Sequence, residues 1–251
     1  SARDGHSLMP KPGSSPDLVD AGGVAALLTQ AQAHEKAGDL AAAAAGYDQA
    51  LAIEPGHLAA LGGAARLALR RGQAPAAVSL WQRAVATAPD HPALRHELAL
   101  ALLQAGDLRG AEAAVREAID RRPRDPALHN LLGVILKRQR QIKPAMACFE
   151  QALKFDKKHY GAQLNLGNTQ RETGDKPAAA QSYRQALTLK PKDPEAARLL
   201  ACTLAETGDA AAAMAAFQRA LLLAPQNGQI YADRAVAQYN FTRFAEALQD
   251  I

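Results

Sequence analysis

The 251 residues leave room for one or two ordinary domains, or for several copies of something smaller. Apolar residues make up 48%, enough for a core. The 59 alanines, set against five Phe, five Tyr and one Trp, favour close-packed helices and argue against sheet sandwiches and barrels. The formal charge of +4 is too small to call for a nucleic-acid partner by itself.

In chain order, residues 1–23 come first, where Pro10, Pro12, Gly13, Ser14, Ser15 and Pro16 predict a flexible leader, partly vector-derived. The leader lacks the apolar middle of a signal peptide, and no stretch approaches 18 strongly apolar residues, so a cytoplasmic chain without membrane contact is expected. From Val24 onward a regular punctuation begins. Pro55, Pro89, Pro123, Pro191 and Pro225 share a 34-residue grid, broken only by Lys157. A second column holds Gly38, Gly72, Gly106, Gly174 and Gly208, with Arg140 and Thr242 as its exceptions. These glycines suit the left-handed residue that ends a helix, and Asp39, Asp107, Asp175 and Asp209 can cap the next one. Asp125-Pro126 and Asp193-Pro194 fit an N-cap followed by proline in the first helical turn. The predicted units, each a helix, a tight turn and a helix, are 24–57, 58–91, 92–125, 126–159, 160–193 and 194–227. A seventh, 228–251, stops inside its second helix, and the parent protein is expected to continue beyond it.

Small residues recur where two helices must approach. One column is Ala43, Ala77, Ala111, Ala145, Ala179, Ala213 and Ala247; another runs from Ala50 through Ala84, Ala118, Ala152 and Ala186 to Ala220. A third is Ala31, Ala65, Ala99, Gly133, Gly167, Ala201 and Ala235. Among them runs a bulky column of Tyr47, Trp81, Val115, Phe149, Tyr183, Phe217 and Ile251. Small against large in register is how facing helix layers interdigitate. Gly62-Gly63 interrupts this pattern in mid-helix, where each glycine costs about 1 kcal/mol relative to alanine. The pair reads as a tolerated soft spot in preference to a place of close ligand approach.

The 34-residue unit, with its small, aromatic and proline columns, resembles the tetratricopeptide repeat over Val24 to Ile251, and Asn165 to Asp175 (NLGNTQRETGD) lies close to the repeat consensus. The tryptophan typical of the first helix is absent. The resemblance implies an all-α, right-handed superhelical solenoid whose first helices line a concave groove, each repeat burying its apolar face only against its neighbours.

Catalytic motifs are missing: there is no GxSxG, HExxH, P-loop or GxGxxG pattern, so no enzymatic activity of this segment and no cofactor or metal are expected. Cys148 and Cys202 stand 54 residues apart and read as small buried hydrophobes. His57, His91 and His159 share a column in the turns between units, roughly 20 Å apart at about 10 Å per helix contact, too far for shared coordination. His34 and His129 fall on packing columns as partly buried side chains, whereas His96 lies on an open helix face.

A protein or peptide partner in the groove is the expected function. Groove candidates are His96, Asn130, Lys137, Arg138, Asn165, Asn168, Arg171 and Arg198, with Asn165 and Asn168 equally readable as helix-to-helix hydrogen bonders. Residues 121–160 hold ten Lys or Arg against three Asp or Glu, a net +7, which suggests an acidic peptide. Nucleic acid is disfavoured because aromatic residues do not interleave with these charges. The resemblance also bears on partner class. No Lys/Asn pair four residues apart sits at the positions with which similar repeats clamp a chaperone C-terminus, and only Asn165 fits the asparagine ladder of glycosyltransferase repeats. Two alternatives remain: a substrate-recruiting region of a larger glycosyltransferase or sulfotransferase, and self-association through terminal repeats.

Overall fold

Start and stop signals at most expected helix ends become real caps. The computed structural model describes residues 17–91 and 93–249, and among them the chain forms thirteen α-helices and no strand. They fall into two compact units divided between Ala105 and Gly106. The first contains α1 (Asp17–Ala37), α2 (Leu40–Ile53), α3 (Leu58–Arg70), α4 (Ala74–Thr87) and α5 (Leu94–Gln104). The second contains α6 (Leu108–Arg121), α7 (Pro126–Arg138), α8 (Ile142–Phe155), α9 (Tyr160–Glu172), α10 (Lys176–Leu189), α11 (Pro194–Glu206), α12 (Ala210–Leu223) and α13 (Gly228–Gln249).

Asp39, Asp107, Asp175 and Asp209 each accept a backbone N–H of the following helix at 2.9–3.1 Å, as capping requires. Asp125 and Asp193 cap α7 and α11, whose first residue is proline. The grid glycines have φ between +72° and +88°. Arg140, the grid's first exception, adopts the same left-handed backbone with φ +66°, so the turn geometry persists without glycine.

Inside each unit the small and bulky columns meet. All six described alanines of the column from Ala43 to Ala213 are fully buried, and so are Val115, Phe149, Tyr183 and Phe217 of the bulky column. Gly133 shows why a small residue is required, since a Cβ there would lie 2.5 Å from the Phe149 ring. Ala247 and Ile251 of these columns lie outside the residues whose side chains are described.

Three expectations change. The helical chain starts at Asp17, so 17–23 form the opening of α1 instead of part of a leader, while residues 1–16 lie outside the described residues. The turn expected near Thr242 is absent, and α13 runs unbroken to Gln249. Thr242 is β-branched and resists the left-handed conformation; its hydroxyl instead donates to the Gln238 carbonyl one helical turn back at 3.0 Å. Gly62 and Gly63 are neither a soft spot nor a ligand approach. A Cβ at Gly63 would overlap the Tyr47 ring, and one at Gly62 would sit 3.2 Å from the Trp81 ring, so the pair forms a socket for two bulky-column side chains.

Candidate functional site on the first helices

The first helix of a repeat leaves one stripe of side chains off the packing columns, and the structure joins these stripes laterally. In the second unit, Lys137 at the end of α7 donates from Nζ to Glu172 Oε1 on α9 at 2.6 Å. One repeat later, Arg171 repeats the arrangement with Glu206 on α11, its Nε and Nη2 reaching Oε1 at 3.1 and 2.7 Å. Both links span 35 residues, one repeat plus one position. A second rung lies nearer the middle of the helices. Asn165 Nδ2 donates to Asn130 Oδ1 at 3.0 Å, and Arg198 pairs with Asp233, again 35 residues apart. In the first unit Arg70 donates to Glu35 at 2.8 Å by the same rule, and Glu35 also accepts from the Tyr47 hydroxyl.

The electrostatics follow from these pairs. Glu206, aided by its proximity, holds the Arg171 guanidinium more firmly protonated than usual, against the opposing effect of burial. Glu195 and then Asp233 do the same for Arg198, with Glu195 bidentate at 2.6 and 2.7 Å. Burial, followed by the charge of Asp233 3.4 Å away, pushes the Cys202 thiol up to about 12, so it stays protonated and a poor nucleophile at neutral pH. Tyr183 donates to Asn168 Oδ1 at 2.7 Å.

Two adjoining recesses open on this stripe. One, of 320 Å³, is lined by Asn168, Arg171, Glu172, Tyr183 and Glu206. The other, of 210 Å³, is lined by residues that include Arg171, Cys202, Glu206, Asp233, Val236 and Asn240. Arg171 and Glu206 belong to both. The pair offers a cation and an anion side by side, and a ligand carboxylate can take Arg171 by displacing Glu206.

Of the residues singled out from sequence, the structure brings Asn130 together with Asn165, and gathers Asn168 and Arg171 around one recess. Lys137 and Arg198 stand on the same face but are engaged by carboxylates. Arg138 is exposed in the last turn of α7. His96, in the first unit, is half-buried with Nδ1 3.9 Å from Glu97, and that neighbouring imidazole holds the Glu97 carboxyl below its ordinary range. The turn histidines act locally: His57 and His159 accept the Ala60 and Ala162 backbone N–H through Nδ1, as N-caps. His129 is half-buried against Phe155, but His34 is exposed. Among the described residues no three His, Cys, Asp or Glu side chains stand close enough to hold a metal. No described helix is long and apolar enough to cross a membrane.

Sequence reasoning missed the carboxylate partners Glu35 and Asp233, and did not pair Glu172 and Glu206 with their cations. Their signal was present as opposite charges 35 residues apart.

Comparison with known proteins agrees with the repeat architecture. The family described as cilia and flagella-associated protein 70 C-terminal domain matches residues 5–238. No curated protein sequence matches the chain. Among solved structures, a tetratricopeptide repeat protein from Parabacteroides merdae superposes with a TM-score of 0.70 at 16% identity, covering 87% of each chain. A chain of the APC/C hetero-tetramer Cut9-Hcn1 superposes at 0.69 and 20% identity over 88% of this chain, which spans only 44% of that one. YrrB, described as a TPR protein with an unusual peptide-binding site, superposes at 0.56 and 14% identity, covering 75% of this chain and 97% of its own.

Proposed function

Because the chain belongs to the family of the cilia and flagella-associated protein 70 C-terminal domain, a tetratricopeptide-repeat family, we propose that it binds a peptide segment of a partner protein along the first helices of its second unit. The fold is that of a protein-interaction scaffold, and the peptide site is assigned to the two recesses that meet at Arg171 and Glu206. That shared ion pair is the observation carrying the reading. A scaffold needs a concave, partly polar surface with a small number of fixed hydrogen-bonding groups, and Asn168, Arg171 and Asp233 supply them. A carboxylate on the partner exchanges with Glu206 for the Arg171 guanidinium, so binding weakens with salt. The segment acts as a non-enzymatic scaffold. A cytoplasmic setting is part of the proposal.

The test is a peptide selected from a random library on the immobilised full chain, then titrated against Arg171→Glu, Glu206→Arg and the double exchange. The reading expects loss of binding to Arg171→Glu. Unchanged affinity for all three variants would refute it.

A further inference from the structure

One small column ends uncovered. Ala31, Ala65, Ala99, Gly133, Gly167 and Ala201 are buried in their repeats, whereas Ala235, the next member of that column, is exposed. Earlier in the chain the second helix of the same repeat supplies the cover: the Phe149 ring lies over Gly133, and the Tyr183 ring over Gly167. The last repeat has no such return. Its helix α13 packs against α11 and α12 and runs unbroken past Thr242. A continuous helix of 22 residues is about 33 Å long, so its second half lies beyond its first half and cannot fold back over Ala235.

The sequence of the same chain nevertheless carries the missing cover. By register, residues 243–251 occupy second-helix columns, with Ala247 in the small column and Ile251 in the bulky column of Phe149 and Tyr183. Two further columns change together. The one holding Leu132, Leu166 and Leu200 and the one holding Cys148, Ser182 and Ala216 bear no charge in the six earlier repeats, then become Arg234 and Asp250 in the seventh. These two columns are neighbours. Ser182 lies against Gly167 as Gly46 lies against Ala31, and Leu166 and Ser182 line one recess. A second helix laid over α13 in the usual register therefore brings an aspartate to Arg234, which is half-buried with its guanidinium 5.5 Å from the Tyr231 ring centroid.

We propose that two copies of this chain pair antiparallel through α13 about a two-fold axis near Thr242. Residues 243–251 of each copy cover Ala235 of the other, and Asp250 of each meets Arg234 of the other. The contacts are those that a second helix makes with its own first helix elsewhere in the chain, exchanged between copies because the turn is absent at Thr242. A second copy is selected as the occupant because its segment carries both the column register and the charge that this face calls for. Neither Arg234 nor Ala235 lines the recesses at Arg171, so pairing and peptide binding are separable.

The test is light-scattering mass measurement of the full chain over a concentration series. The unaltered chain is expected to reach twice its 26.5 kDa. Arg234→Asp and Asp250→Arg should each weaken the dimer, by about tenfold for each of its two like-charge contacts. Mixing the two variants should restore it, since both opposite-charge pairs form again only between different chains; a misfolded variant could not be rescued in this way. Thr242→Gly with Arg243→Asp, which reinstates the residues of the Gly208-Asp209 turn, should let the segment close on its own chain and give a monomer. Arg171→Glu should leave the mass unchanged. A chain of 26.5 kDa at every concentration, the result expected if its own segment or a different protein covers Ala235, would overturn the proposal. So would dimers that persist in either charge variant alone or in the turn variant, or a mixture that stays monomeric.

Discussion

Arg171 closes on Glu206, 35 residues further along the chain, at 2.7 Å, and each side chain is about one-third exposed. At that exposure the pair contributes little to folding, about 0–1 kcal/mol after solvent screening. Replacing both with alanine is therefore expected to leave the urea midpoint nearly unchanged while altering selected-peptide binding. A shift equivalent to several kcal/mol would make the pair a structural strut instead of a recognition element.

Gly63 is held to glycine by the Tyr47 ring, which is buried and tied through its hydroxyl to Glu35. Helix propensity alone says that Gly63→Ala stabilises by about 1 kcal/mol. Overlap with an aromatic ring that has nowhere to go reverses the sign, and a net loss of about 1–3 kcal/mol is expected by chemical denaturation. Gly23, where an added Cβ would meet nothing within 4 Å, is the control, and alanine there should be neutral or stabilising.

Arg140 occupies a left-handed position that its counterparts fill with glycine. Arg140→Gly relieves a backbone penalty of about 1–2 kcal/mol and gives back part of it as chain entropy, for a net gain of about 0.5–1 kcal/mol. Arg140→Val should lose stability, since a β-branched residue resists that conformation more strongly. Equal melting temperatures for all three would contradict the strain.

Much of the fold was legible in the sequence because its determinants are periodic and local. The alanine columns, Asp39 and its equivalents, and the grid glycines each act within one repeat or between a helix and its immediate partner. Exceptions to the grid were less legible. The turn persists at Arg140 and is absent at Thr242, and a single column cannot tell the two apart, because both replace the glycine that marks the turn elsewhere. The site was legible as a face, through Asn168 and Arg171, but not as a set of bonds. Glu206 and Asp233 reach their cations only because neighbouring first helices stack with a one-residue offset, a lateral relationship with no trace in the period of any one helix.

Acid sensitivity should appear at Glu112. Gln139 and then Arg116 hydrogen-bond its carboxylate at 2.9 Å and hold its pKa below the ordinary value of about 4.3. A depressed folded-state pKa contributes stability above the unfolded value and loses it as the pH falls through the folded one. The stability difference between the unaltered chain and Glu112→Gln is therefore expected to be greatest at about pH 6–7 and to shrink below about pH 4.5. A difference that does not change with pH would remove the carboxylate from the account.

The most direct measurement is amide chemical-shift mapping of the full chain with a library-selected peptide. A scaffold that recognises its partner through the first helices predicts shifts centred on Asn168, Arg171, Cys202 and Glu206, fading with added salt. Saturating peptide that leaves those four amides in place, with shifts elsewhere, would contradict it.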